Sequence, residues 1–204
     1  MSEELKRLEP NDVVARCVFY PEIAKGDLKA SFDLTRLMYF REVTTVQRSW
    51  LLSVGWRKKL PKADDVHAYG CRTASNTNKR RLRDAEKKGI TLDPLHGLAH
   101  YLGFYDFGVE TCEKSSNAIY TVYVENEPEN GEDAHSHVVL LEKSGLPTKP
   151  PPNKASARTQ IMEALWNGCS GPTRHICAND EEFRPELEAI NLQDGPRNPQ
   201  MAGA

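Results

Sequence analysis

The sequence has no apolar run of the roughly 20 residues that a membrane-spanning helix needs. It has no internal repeat, which argues against a solenoid or propeller. It has no glycine-rich phosphate loop of the nucleotide-binding kinds and no recognisable nucleophile–base set. Residues 1–10 are charged and carry no apolar signal core, so secretion is not expected. Cysteine is sparse: the five residues Cys17, Cys71, Cys112, Cys169 and Cys177 are odd in number and widely scattered. That pattern reads as reduced thiols in a cytoplasm, not as a disulfide framework. Neither charge sign dominates, with 27 Lys and Arg against 29 Asp and Glu and a formal net charge of −2. The overall field therefore gives no reason to expect nucleic-acid binding, and any such contact has to come from a local patch.

What is present is enough for one packed domain: 204 residues, 39% of them hydrophobic. The segment 118–124, Ala-Ile-Tyr-Thr-Val-Tyr-Val, is β-branched and aromatic on both faces and reads as an interior strand. An acidic loop with Pro128 and an Asn130-Gly131 turn follows. The chain then resumes as His135-Ser136-His137-Val138-Val139-Leu140-Leu141. Side chains alternate along a strand, so His135 and His137 share a face at the mouth of the sheet. Two such histidines can perform acid–base work on a phosphodiester, or can hold a metal with a third ligand such as Asp133. They can equally be structural, one bonded to a loop carbonyl and the other solvated.

Further strands are expected over 12–20, 28–32 and 50–56. Arg16 is the odd member of the first. It pairs with a buried acid, emerges at the sheet surface, or acts as a phosphate clamp beside the histidines. A short helix is expected over 62–69. The polar run 75–78 then offers caps for a second helix over 79–88, which Gly89 stops. That helix carries Arg80, Arg81, Arg83 and Lys87 among its cations. It is a solvated face or a phosphate contact for nucleic acid. His96 and His100 sit at helical i, i+4 spacing in the segment 93–107, but Gly97 stands where a zinc-protease motif needs Glu. A helix over 154–167 should pack on the sheet through Ala157, Ile161 and Leu165. Cys169, His175 and Cys177 are the residues most suited to zinc, lacking an identified fourth ligand. The sequence leaves the cofactor unknown.

Three segments together are similar to a group of small uncharacterised bacterial proteins. They are Asp12 to Tyr20, Leu52-Ser53-Val54-Gly55-Trp56, and the stretch from Glu125-Asn-Glu-Pro to Ala134-His135-Ser136-His137-Val138-Val139, followed by Ala157-Arg158. The resemblance implies that His135 is the shared histidine and His137 an addition. It implies no activity.

The fold class expected is α+β: a single domain over 11–178 around a mainly antiparallel sheet, with a C-terminal helix on one face. Residues 1–10 and 179–204 are expected to be flexible. Val14, Val18, Leu52, Val54, Val122, Val138, Leu140, Ile161 and Leu165 are expected in the core. The functional expectation is a cytoplasmic, non-catalytic binding or accessory module with a protein partner and no membrane contact. The alternative is a small histidine-dependent hydrolase or phosphodiesterase built on His135, His137 and Arg16.

Overall fold

A computed structural model describes residues 5–21, 39–42, 48–129, 131–143 and 154–192. The expected strand at 28–32, residue 130 of the turn, the connector 144–153 and the terminal stretch 193–204 lie outside the described residues.

Eight strands form one sheet: β1 (Lys6–Arg7), β2 (Val13–Tyr20), β3 (Tyr39–Glu42), β4 (Arg48–Trp56), β5 (His100–Gly108), β6 (Tyr120–Asn126), β7 (His135–Glu142) and β8 (Cys169–Arg174). The order is β1-β6-β7-β4-β2-β5-β8, with β3 also pairing β4. Every pairing among the described residues is antiparallel. The helices are α1 (Ala63–Lys87), α2 (Pro94–Gly97), α3 (Val109–Lys114), α4 (Lys154–Asn167) and α5 (Arg184–Glu188), the last preceded by a 3₁₀ turn at Ala178–Phe183. The protein is therefore α+β on an antiparallel sheet, and no helix among the described residues is long and apolar enough to cross a membrane.

Strand alternation divides the apolar side chains between two faces. On one face Val14, Val18, Leu52, Val54, Val122, Val138 and Leu140 meet Ile161 and Leu165 of α4, all in one buried cluster. Those nine are the residues whose periodicity marks a core, and α4 covers them as expected. The other face was not expected to be covered by a long helix. There Ala15, Cys17, Phe19, Tyr101 and Phe104 pack under Val66, Tyr69 and Ala74 of α1. A β-carbon on Gly55 would press on Leu60 and Tyr69, and one on Gly70 would overlap the Tyr101 ring. Both glycines let α1 and the sheet approach closely.

Two expectations are corrected. The helices expected at 62–69 and 79–88 are one helix of 25 residues. The polar run between them does not cap anything. Asn78 instead donates to the Ala99 carbonyl and accepts from the Ala99 amide, acting as a backbone partner for the chain entering β5. The i, i+4 spacing of His96 and His100 is not helical either, because Asp93 caps only the single turn of α2 and His100 already begins β5. At the N-terminal end β1 pairs β6, and Leu8 is buried. Residues 179–192 pack on the domain as well. His100 holds Asp180 at 2.9 Å, and Leu187 and Leu192 enter the main core. Their acidic neighbours conceal these anchors, since two buried leucines make no periodic pattern.

Candidate functional site

The β6–β7 hairpin places Glu125 directly across from His137, and Ser53 of β4 lies on its other side. Cross-strand partners share a face, so Glu125 and His137 project together. Glu127, just past β6, brings a carboxylate oxygen to 2.9 Å from His137 Nδ1. The backbone carbonyl of the same Glu127 lies 2.9 Å from His135 Nδ1 and accepts its hydrogen. The two imidazoles meet edge to face, with centroids 4.6 Å apart. Glu129 approaches His135 at 3.7 Å. Ligand atoms of Glu125, Glu127 and His137 all lie within 4.8 Å of one another.

The same-face geometry of His135 and His137 is thus present. Asp133 is not their partner: its carbonyl binds Asn126, while Glu125 and Glu127 supply the carboxylates. His135 is bonded to a loop carbonyl. His137 is not solvated, being buried against carboxylate. Arg16 enters from β2, whose ladder with β4 covers only Val14–Trp56 and Ala15–Gly55. Where that ladder ends, Arg16 donates to the Ser53 carbonyl at 3.0 Å. Its backbone position belongs to the Val14–Val18 face, opposite that of the histidines.

The basic segment is the outer half of α1. The inner half buries Val66, His67, Tyr69, Gly70 and Ala74, whereas beyond Asn78 only Ala85 is buried. Arg80, Arg83 and Lys87 are exposed, and Arg81 is half-buried, reaching toward the Gly97 carbonyl. With them stand two exposed large apolar side chains, Leu82 at 50% and Ile90 at 55%. Together with Lys79, Glu86 and Leu92 they line a shallow groove between the end of α1 and the chain that turns back from it. The turn is fixed by Gly89 at φ +63° and by the Ile90 amide donating to Ala85.

The proposed zinc set of Cys169, His175 and Cys177 is not assembled. Cys169 is fully buried in the α4-side core, and burial pushes its thiol up to about 12. Cys177 belongs to the opposite, α1-side cluster. Its neighbours are His175 and Cys71, and the Cys71 and Cys177 sulfurs are bonded as a disulfide. The expectation of five reduced thiols is corrected accordingly, with Cys17, Cys112 and Cys169 free and buried. His67 stacks on His175, centroids 4.4 Å apart and planes within 15°. Tyr101 hydroxyl lies 3.1 Å from His67 Nδ1. Burial, and then the adjacent His175, hold the His67 imidazole below its ordinary value.

Sequence reasoning set Glu127 in the acidic loop beside the histidines but did not single out Glu125, Cys71 or His67. A signal existed for each. Glu125 and Glu127 alternate like a strand pair, and His67 and Cys71 have the i, i+4 spacing of one helix face. Comparison of the chain with protein-family models, curated proteins and solved structures gives no match. The functional argument therefore rests on the placement of the residues themselves.

Proposed function

We propose that this protein is a non-catalytic binding module that takes an acidic, partly apolar protein partner along the outer half of α1. The observation that carries the reading is the pairing of Leu82 and Ile90, both exposed, with a strongly basic helix surface. Between 79 and 88 the chain sets six cations against two acids. A helix with almost nothing buried on any side has its stability supplied elsewhere, here by the anchored inner half. Exposed leucine and isoleucine add nothing to phosphate binding, whereas apolar residues rimmed by charge are the usual make-up of a protein-docking surface. This favours a protein over a nucleic acid. The Arg72–Glu132 bidentate pair, at 2.6 and 2.9 Å, braces the middle of α1 against the hairpin loop, so the outer half is presented from a fixed base.

The test is a photo-crosslinking amino acid placed at Leu82 and at Arg80 in the full chain, compared with one at Glu163 on α4. A single discrete adduct from the α1 positions, lost in Leu82→Ser/Ile90→Ser and in Arg80→Glu/Arg83→Glu, supports the reading. Equal crosslinking from all three positions, or adducts with nucleic acid alone, would overturn it.

A second reading is favoured by the Glu127–His137–His135 geometry. It is a histidine-dependent hydrolase acting on a phosphodiester, with one imidazole as base and the other as acid. Hydrolysis of cyclic nucleotides or short nucleic acids that disappears in His135→Ala/His137→Ala, and survives the α1 substitutions, would select it over the first. The exposed Leu82 and Ile90 beside the basic helix surface are why the binding reading stands first.

A further inference from the structure

Two elements far apart in sequence bring three metal-type ligands, Cys71, His175 and Cys177, together under α1. His67 and Cys71 lie one turn apart on α1, so both face the sheet. His175 and Cys177 alternate along the extended chain that leaves β8, where the His175 amide still bonds the Leu102 carbonyl. They therefore point to one side. The Sγ atoms of Cys71 and Cys177 and a ring nitrogen of His175 lie within 4.8 Å of one another. The His67 ring lies flat against that of His175 at 4.4 Å.

A disulfide accounts for the two sulfurs and for nothing else. It requires no imidazole, yet two are stacked beside it, and His67 is almost fully buried. We propose that, when Cys71 and Cys177 are reduced, these two thiolates and the His175 imidazole bind a zinc ion, with solvent in the fourth position. The ligand kinds are those of structural zinc. Thiolates at about 2.3 Å from the same ion stand about 3.8 Å apart. Cysteines whose Cα atoms are 5.9 Å apart reach that spacing by side-chain rotation once the sulfur–sulfur bond is open. Tyr101 engages His67 Nδ1, and the His67 ring lies flat on His175, an outer contact that orients the ligating imidazole. Phe104 packs on His67 from the sheet, which helps to dry the site.

The site is a join: it ties α1 to the segment that leads into the 3₁₀ turn and α5. A bond or a metal there closes a sequence separation of 106 residues. Disulfide and zinc are mutually exclusive, because the disulfide sulfurs no longer carry the thiolate charge that binds the ion.

The experiment uses the full chain in two forms, oxidised and fully reduced with a phosphine, each stripped by chelator and then titrated anaerobically with Co²⁺ and Zn²⁺. The reduced wild type is expected to take one Co²⁺ per chain, with a thiolate charge-transfer band and the intense visible bands of tetrahedral cobalt, both displaced by Zn²⁺. The oxidised wild type is expected to take none at this site. The double variant Cys71→Ser/Cys177→Ser is expected to lose the charge-transfer band, Cys169→Ser and His67→Gln to keep it, and His175→Gln to keep it with weaker visible bands. The wild-type comparison needs no substitution, so a variant that fails to fold cannot mask the answer. No thiolate–cobalt band in the reduced chain, equal binding by both redox forms, or loss of the band on Cys169→Ser would overturn the proposal.

Discussion

Replacing Asp106 with Asn should make the protein more stable at neutral pH and leave it nearly unchanged in mild acid. Asp106 lies on β5 with its side chain 20% exposed, and its Oδ1 stands 3.3 Å from Arg57 Nε without a hydrogen-bond partner among the described residues. Burial raises its carboxyl from 3.8 to about 6, and the opposing pull of Arg57 is the smaller effect. The guanidinium is shared, since Arg57 Nη1 also donates to the Leu60 carbonyl at 2.7 Å. A folded-state pKa above the unfolded one means that the native protein binds the proton more tightly. The contribution to stability is then complete below the unfolded value and is lost as pH rises through about 6. With 1.36 kcal/mol for each pH unit, a rise of about two units corresponds to about 3 kcal/mol. Asn mimics the protonated acid and does not titrate. Urea unfolding of both proteins at intervals from pH 4 to pH 8, each with its own slope, gives the difference directly, because the other carboxylates cancel. The variant should match wild type near pH 4 and exceed it by up to about 3 kcal/mol above pH 7. A difference that does not change with pH, or a variant weaker than wild type at pH 8, would refute the reasoning and show that the Arg57 pair outweighs burial.

Three further outcomes are expected. Gly70→Ala should destabilise the protein by about 1–3 kcal/mol in denaturant unfolding, since the new methyl meets the Tyr101 ring at the closest contact of α1 with the sheet; a neutral result would mean that the helix shifts freely. His100→Ala should cost about 3 kcal/mol and raise amide exchange over 178–192, because it strands Asp180 and the Pro94 carbonyl together; unchanged exchange there would remove His100 from that anchoring role. Cys17, Cys112 and Cys169 should resist alkylation in the native protein at pH 8, their thiols being raised by burial, two of them to about 12. Three thiols per chain should then react on unfolding and five after reduction, as counted by mass spectrometry. Rapid native labelling of Cys169 would contradict its placement in the core.

The sequence by itself determined the elements whose residues repeat at the period of their own backbone. Val14 and Val18, Leu52 and Val54, and Val138 and Leu140 alternate every second residue, and Ile161 and Leu165 recur once per helical turn. All of them meet in one core cluster, with α4 on the expected face. The shared face of His135 and His137 was legible for the same reason. What only the tertiary structure decided depends on contacts between segments distant in the chain. Asn78 reads as a cap until the Ala99 backbone is seen beside it. His100 has helical spacing from His96, yet its ring is fixed by Asp180, 80 residues on. Cys177 looks like the partner of Cys169, but the two belong to opposite core clusters, and the sulfur it meets is that of Cys71. Local patterns report which side of an element is buried. They carry no information on which residue of another element arrives there, because that is set by how helices and strands pack on the finished sheet.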